Sequence, residues 1–251
     1  MTTPVQPTVE FTNVHTRFGA NHVHRGLNFA LQPGEVTTLL GPSGAGKTII
    51  LKLIIGLVRQ AEGSVKVMGQ EVANLDGPDL TALRVNTGML FQGAALFDSL
   101  TVFENIAYGL RERGEKDEDK LDHIVKERLG MVGLPGIESK LPSQLSGGQR
   151  KRIGLARALA TSPKIMLYDE PTTGLDPTST RMIDDLIITF AREQKITSLI
   201  VTHDIQSARR ISDRWMLLSQ GVIAADGPVG EVSENNPLVR DFVSGSWKEA
   251  V

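Results

Sequence analysis

The sequence predicts an α/β fold with a small antiparallel β subdomain and an inserted α-helical subdomain. Three observations lead to this fold class. Short apolar runs at residues 36–40, 164–170 and 198–201 have the length and composition of buried parallel strands. A glycine-rich loop follows the first run and opens a helix. From residue 93 to about residue 161 the pattern becomes helical, which predicts an insertion between two strands.

The glycine-rich loop at residues 41–48 fits the Walker A pattern G-x-x-x-x-G-K-[ST] at each specified position. Inward-turned amides and the positive end of the following helix form an anion site there. Lys47 is placed to reach the β- and γ-phosphates of a nucleotide, and the Thr48 hydroxyl to ligate Mg²⁺. The alternative is a glycine-rich turn without a ligand. The predicted binding residues are Gly41, Pro42, Ser43, Gly44, Ala45, Gly46, Lys47 and Thr48.

Composition limits the function classes. A chain of 251 residues, 40% hydrophobic, can bury a core as one large domain or one domain with an insertion. A net charge of −2 gives no electrostatic reason to expect nucleic acid as a ligand. Zero cysteines exclude disulfides and cysteine catalysis. Because Lys52 interrupts the longest apolar run and residues 1–9 lack a signal-peptide pattern, we expect a cytosolic chain that reaches membranes through a partner.

Two other predicted strands end in polar side chains. Asp169 and Glu170 close one run, and His203 follows another. Because ligands bind at the carboxyl ends of parallel strands, these residues are expected beside the glycine loop. Asp169 is then placed to hold Mg²⁺, Glu170 to polarise a water, and His203 to contact the γ-phosphate. The alternatives are a loop start for the acidic pair and a structural role for the histidine.

The stretch Leu-Ser-Gly-Gly-Gln at residues 145–149 opens another predicted helix. Ser146 is a good N-cap, and the glycines after it leave backbone amides accessible. Arg150, Lys151 and Arg152 put three cations in the first turn, where the helix dipole disfavours positive charge. An anion from outside would relieve that conflict, and three solvated charges are the alternative.

The rest of the chain carries less specific sequence features. Phe18, just before a turn, is a candidate to stack on a purine, with a packing role as the alternative. Alternation at residues 63–69 predicts a small antiparallel piece. Gln92 lies where a strand gives way to the next segment, either as a ligand or as a buried-edge glutamine. Charged residues 111–120 predict a solvated helix face or loop, and apolar spacing at 121–132 predicts an amphipathic helix.

In their order, these motifs resemble the nucleotide-binding subunit of ABC transporters over nearly the whole chain. The resemblance implies one ABC domain at residues 1–251. Its P-loop NTPase (RecA-like) core and antiparallel β subdomain would occupy residues 1–91 and 162–251, and a helical subdomain residues 92–161. It also implies ATP and Mg²⁺ as cofactors and Mg²⁺-dependent ATP hydrolysis.

The same resemblance implies roles for single residues. Glu170 would be the general base and His203 the switch residue, with Lys47 and Gln92 completing the catalytic set. Metal ligation would fall to Thr48, Gln92 and Asp169. The nucleotide-binding set would further include Phe18 at the adenine, Asp176 as a cross-dimer contact, and the signature residues Ser146, Gly147, Gly148 and Gln149. Two subunits of this family pair head to tail around ATP, which implies a homodimer.

A narrower resemblance lies in residues 88–112, which are similar to the ATPases of Mla and Mce lipid-transport systems. Residues 141–148 and 237–245 agree with that subgroup, whereas Ile49 replaces a usual threonine. The resemblance implies phospholipid transport between inner and outer membranes, and a peripheral location at the cytoplasmic face of the inner membrane. Implied partners are an MlaE-like integral membrane permease, a membrane-anchored MlaD-like lipid-binding subunit and a small MlaB-like regulator, without nucleic acid.

Two other functions stay open at this point. One is an importer ATPase for an amino acid or other small solute. The other is a soluble cassette protein outside transport, such as an iron-sulfur assembly ATPase. The lipid-type stretch at residues 88–112 argues against the soluble cassette protein, whereas the choice between lipid and small solute stays open until the cargo of a co-purified permease is identified.

Overall fold

A computed structural model describes residues 6–247 of the chain. Residues 1–5 and 248–251 lie outside the described residues. The expectation that residues 1–9 contain no signal peptide therefore falls partly outside them. The described chain forms strands β1 (Val9–Phe18), β2 (Asn21–Leu31), β3 (Val36–Leu40), β4 (Glu62–Val67), β5 (Gln70–Glu71), β6 (Thr87–Leu90), β7 (Ile165–Asp169), β8 (Thr197–Val201), β9 (Arg214–Ser219) and β10 (Val222–Pro228).

The helices cover the parallel strands and fill the segment between β6 and β7. Their bounds are α1 (Lys47–Ile54), α2 (Gly77–Val85), α3 (Val102–Arg111), α4 (Glu118–Met131), α5 (Gly147–Leu159), α6 (Pro177–Gln194), α7 (Ile205–Ile211), α8 (Val229–Asn235) and α9 (Pro237–Ser244). Single 3₁₀ turns occur at Val72–Asn74 and Pro142–Gln144.

A six-stranded sheet organises the molecule. Its strand order is β10-β9-β3-β8-β7-β6, with β9, β3, β8, β7 and β6 parallel and β10 antiparallel at one edge. Every residue of β3, β7 and β8 is buried, as is usual for parallel strands covered on both faces. The loops after β3, β6, β7 and β8 therefore meet at one edge.

A second, antiparallel sheet of four strands has the order β2-β1-β4-β5. Strand β4 confirms the antiparallel piece predicted at residues 63–69. One apolar cluster joins both sheets to α1 and includes Leu51, Ile54, Val65 and Leu167, each at most 1% exposed. Full burial of such a side chain contributes about 1.5–3 kcal/mol, so packing holds the start of α1 against the sheet edge.

The segment between β6 and β7 carries α3, α4 and α5 on the other face of the sheet. Leu121, Val125 and Leu129 of α4 are fully buried, which confirms the predicted amphipathic helix. The charged stretch at 111–120 runs from the end of α3 through an exposed turn into the start of α4, with ion pairs between Arg111 and Glu118 at 2.8 Å and between Lys120 and Glu115. The predicted α/β fold class is confirmed.

Candidate active site

The loops after β3, β6, β7 and β8 enclose a cleft of about 440 Å³. Its lining residues are Ser43, Gly44, Gly46, Lys47, Thr48, Ile49, Gln92, Asp169, Glu170, Val201 and His203. A larger cavity of about 600 Å³ lies at the opposite edge of the sheet, beside Pro33, Lys164 and Thr197. Within residues 6–247, its lining contains none of the predicted site residues. We therefore take the smaller cleft as the candidate site.

Two glycines set the path of the loop between β3 and α1. A Cβ at Gly41 (φ 152°) would lie 2.5 Å from the carbonyl oxygen of Leu218, so a side chain there would push the loop off the sheet. Gly46 forms the N-cap of α1 with φ 97°, in the left-handed region that glycine adopts at little cost. The sharp turn leaves the first N–H groups of α1 facing the cleft.

The loop fits an anionic ligand. Among the described residues, the N–H groups of Gly44, Lys47 and Thr48 have no backbone acceptor, and a helix start with free amides attracts phosphate groups. The Lys47 Nζ donates to the carbonyl oxygens of Gly41 at 2.7 Å and Pro42 at 2.8 Å. Burial lowers the pKa of Lys47, while the carboxylates of Glu170 and Asp169 oppose that shift. The ammonium thus lies at the loop with a donor left for a phosphate.

Oxygen atoms beside the loop fit a hard divalent cation. The Thr48 Oγ1 donates to the Asp169 Oδ1 at 3.0 Å, which joins the end of β7 to the start of α1. Burial raises the pKa of Asp169, and the hydrogen bond from Thr48 opposes that shift. Gln92 follows β6 and lines the same cleft. A hydroxyl, a carboxylate and an amide oxygen are the donor types that Mg²⁺ prefers.

Glu170 is held at the cleft by several contacts. Its N–H donates to the carbonyl oxygen of Val201 at 2.8 Å, and its side chain is only 14% exposed. The Oε2 atom accepts from the Thr173 hydroxyl at 3.0 Å and the Thr202 hydroxyl at 3.3 Å, and it lies 2.9 Å from the Nδ1 of His203. The carboxylate and the imidazole therefore share one end of the cleft.

The sequence interpretation missed Thr173 and Thr202 as partners of Glu170. Their signal was their position beside predicted residues, Thr173 three residues after Glu170 and Thr202 just before His203. The contact between Thr202 and Glu170 could not be inferred from sequence spacing, because it forms only when β7 and β8 pair in register.

The cations after the signature, for which the sequence suggests an outside anion or solvation, contact carbonyl oxygens of their own chain. Arg150 Nη1 donates to the carbonyl oxygen of Leu145 at 2.6 Å, and Arg152 Nη1 to that of Val132 at 3.0 Å. Lys151 is buried, and its Nζ donates to the carbonyl oxygen of Glu170 at 3.0 Å. Carbonyl oxygens of the same chain thus offset the unfavourable helix dipole.

The signature lies away from the cleft. Ser146 caps α5, and its hydroxyl and the Gln149 side chain form a reciprocal capping box, as the N-cap prediction expected. In the described chain, none of Ser146, Gly147, Gly148 and Gln149 lines the cleft. Asp176 caps α6 by accepting from the N–H groups of Thr178 and Ser179, both at 3.0 Å. Its cross-dimer contact stays a prediction.

Phe18 ends β1 with 48% of its surface exposed, and it lies outside the lining of the cleft. A second cleft of about 510 Å³ adjoins the other side of the loop and includes His22, Val23 and Ser43. Stacking of Phe18 on an adenine stays a prediction.

This fold and site define a class of protein: a P-loop ATPase whose Walker A loop, Walker B carboxylates and histidine share one edge of a parallel sheet. A family profile described as ABC transporter matches residues 24–173. The chain belongs to the ABC transporter family as an ABC-type ATPase, and both the family resemblance and the enzymatic class are confirmed.

Several relatives share 39% identity with the chain, and three of them show the range of their names. The probable ribonucleotide transport ATP-binding protein mkl of Mycobacterium tuberculosis aligns with 96% of this chain and 68% of its own. The chloroplastic protein TRIGALACTOSYLDIACYLGLYCEROL 3 of Arabidopsis thaliana aligns with 95% and 74%. The methionine import ATP-binding protein MetN 1 of Pseudomonas fluorescens aligns with 95% and 73%.

Solved structures agree with the fold. The ATP-binding cassette MJ0796, in a dimeric post-hydrolysis state bound to ADP and Pi, superposes with a TM-score of 0.81 and 32% identity. The match covers 88% of this chain and 98% of that one. Between residues 6 and 247, the structure contains no helix that combines the length and the apolar character needed to cross a membrane.

Proposed function

We propose that this chain is the ATP-hydrolysing subunit of a transporter that moves phospholipid between inner and outer membranes. The cluster of Lys47, Thr48, Asp169, Glu170 and His203 around one cleft carries the catalytic part of the proposal. It places a phosphate-binding loop, oxygen ligands and a held carboxylate side by side, as phosphoryl transfer to water needs.

In this proposal, Lys47 and the free amides of the loop bind the phosphates of ATP. Glu170 is the general base: hydroxyl groups hold its carboxylate in place, where it takes the proton of the attacking water. In the same proposal His203, which is 67% exposed and contacts Glu170, binds the γ-phosphate. Thr48, Asp169 and Gln92 would hold Mg²⁺, which neutralises charge on the phosphate oxygens when bound.

Replacing Glu170 tests the general-base role. We expect Glu170→Gln to lower the steady-state rate of ATP hydrolysis by about 10²–10⁴-fold, because the amide cannot accept the proton. Binding of ATP, measured by equilibrium dialysis, should persist because the loop is unchanged. The matched control Glu193→Gln, at the exposed end of α6, should keep the parental rate. Hydrolysis near the parental rate in the Glu170 variant would reject the role.

A groove on the far side of Gln92 supports docking of a permease. It has a volume of about 370 Å³, and its rim carries Phe91, Phe97 and Tyr108, which are 37%, 43% and 42% exposed. The Phe97 and Tyr108 rings lie 4.8 Å apart, and the Arg157 guanidinium lies 5.8 Å from the Phe97 ring centre. Exposed aromatic and arginine side chains are enriched where proteins dock, so the groove suits a cytoplasmic helix of a membrane partner.

The phospholipid cargo is supported by the resemblance of residues 88–112 to Mla and Mce ATPases, because this stretch supplies the aromatic part of the groove lining. The relative named for trigalactosyldiacylglycerol is consistent with a lipid cargo. Membrane location at the cytoplasmic face follows from the proposed MlaE-like permease, with MlaD-like and MlaB-like subunits as further proposed partners. The second candidate is import of a small solute, which the methionine import relative favours at the same 39% identity.

Purification of the chain from its native membranes tests cargo and partner together. We expect an integral membrane protein to co-purify and extraction to release phospholipid, identified by mass spectrometry. A Phe97→Ser, Tyr108→Ser variant should lose the membrane protein yet retain ATP binding, since the groove lies outside the nucleotide cleft. A bound amino acid would favour the second candidate, and recovery with soluble proteins alone would contradict both transport proposals.

A further inference from the structure

We propose that Lys151 is a positioning residue for Glu170, through which the signature helix α5 sets the catalytic carboxylate of its own subunit. The inference rests on the proposed role of Glu170 as general base. The contact lies between the signature helix and the end of β7, which belong to two separate sequence motifs.

The Lys151 side chain is buried and hydrogen-bonded within the chain, and it is not a solvated charge. The residue is 5% exposed, and its Nζ donates to the carbonyl oxygen of Glu170 at 3.0 Å. Burial of an ammonium costs free energy unless acceptors compensate for lost water. Here burial lowers the pKa of Lys151 to about 8, while the carboxylates of Asp169 and Glu170 act against the shift. The contact therefore keeps a costly buried cation at the Walker B turn.

The Glu170 backbone has a conformation that needs such support. Its φ is 49°, in the left-handed region that non-glycine residues seldom occupy. Conformations of this kind persist where surrounding contacts determine them. The Glu170 N–H donates to the carbonyl oxygen of Val201 on β8 at 2.8 Å. Its own carbonyl oxygen accepts from the Lys151 Nζ at 3.0 Å and, at a longer 3.4 Å, from the Thr173 N–H. Loss of Lys151 removes the shorter of the two hydrogen bonds to that carbonyl oxygen.

The contact also joins two functional segments. Lys151 lies on α5, whose first turn carries the signature. In the proposed dimer, the signature contacts the nucleotide of the partner copy, whereas Glu170 acts on the nucleotide of its own loop. A shift of α5 would therefore move the Glu170 carbonyl group, and the contact would couple the two sites.

The test compares Lys151→Met with Arg152→Met in the full chain. Arg152 is the next cation of the same helix, but it donates to the carbonyl oxygen of Val132 and not to Glu170. We expect Lys151→Met to lower kcat by about 10–100-fold, the cost of displacing a reacting group by about 1 Å, with KM changed by less than about twofold. Lys151→Arg, which keeps a donor, should recover most of kcat.

A readout independent of turnover is hydrogen exchange of the Glu170 amide in nucleotide-free protein. Its hydrogen bond to Val201 slows exchange in the parent, and we expect Lys151→Met to speed exchange by about tenfold or more. Arg152→Met should leave the exchange of this amide and kcat near parental values. Added to Glu170→Gln, Lys151→Met should cause no further loss of kcat, because it acts through that carboxylate.

Parental kcat and exchange in Lys151→Met, or equal losses in Lys151→Met and Arg152→Met, would overturn the inference. An active Glu170→Gln variant would overturn the proposed function instead. In that case, the exchange comparison still decides whether Lys151 positions Glu170.

Discussion

At the scale of single residues, His24 is a buried polar group that the sequence interpretation did not single out. It is fully buried on β2, and its Nδ1 lies 3.0 Å from the Thr16 Oγ1. Its Nε2 has no hydrogen-bond partner among the described residues, and a Cβ at Gly46 would lie 2.7 Å from it. The imidazole therefore packs directly beneath the phosphate-binding loop, and burial lowers its pKa to about 4.

This histidine predicts a pH dependence of stability. Between its usual pKa of 6.5 and its folded pKa of about 4, His24 binds a proton in the unfolded chain but not in the folded one. Folding stability should therefore fall as pH decreases through this window, with His24 contributing up to about 3 kcal/mol of the loss. Above pH 6.5 its contribution is constant.

A variant with His24→Leu and Thr16→Val removes both partners of the buried hydrogen bond. We expect its free energy of unfolding, measured by urea titration, to fall less than that of the parent between pH 7.5 and pH 4.5. The control His123→Gln, on an exposed position of α4, should keep the parental slope. An equal pH dependence of the free energy of unfolding in the double variant and the parent would contradict the role of His24.

At the scale of elements, strands were predicted best because their apolar runs are local. Strand β3 has the predicted bounds, and β8 begins one residue earlier than expected. Strand β6 begins at Thr87, shortly after α2 ends at Val85. Helix α6 was not predicted, although its start carries two clear signals, Asp176 as N-cap and a proline in its first turn. The division at residues 92 and 161 stays a prediction.

The candidate site was predictable where its residues are contiguous in sequence, as in the Walker A loop. Gly44, Gly46, Lys47 and Thr48 all line the cleft. The prediction for the cations considered α5 as an isolated helix, whereas neighbouring carbonyl groups lie within reach of Arg150 and Lys151. Contacts of this kind depend on which segments the fold brings together, and sequence spacing does not contain that information.

At the scale of the whole molecule, the site lacks one of its predicted parts. The cleft holds the Walker A loop, Asp169, Glu170 and His203, while the signature at the start of α5 lies outside its lining. A start of α5 capped by Ser146 presents amides suited to a phosphate. A second copy, paired head to tail, would bring those amides to the nucleotide. We therefore propose that activity requires two chains.

Complementation between two inactive variants tests this requirement. Lys47→Ala removes the phosphate-binding ammonium of one chain. Gly147→Asp places a negative charge on the signature of the other, at a position where a Cβ meets only Leu175, at an ordinary 3.8 Å. An acidic residue in the first turn of a helix is favourable, so this variant should fold normally and repel only a phosphate from the partner copy.

Each variant alone should be nearly inactive, because every site in its homodimer contains one damaged half. In an equal mixture, half of the pairs combine both variants, and one of their two sites unites an intact Walker A loop with an intact signature. ATP hydrolysis per chain should therefore recover to about a quarter of the parental rate. A Lys47→Ala, Gly147→Asp double variant mixed with either single variant alone should restore nothing, since no intact site can form. Full activity of Gly147→Asp alone, or no recovery on mixing, would contradict the proposal that two chains share each site.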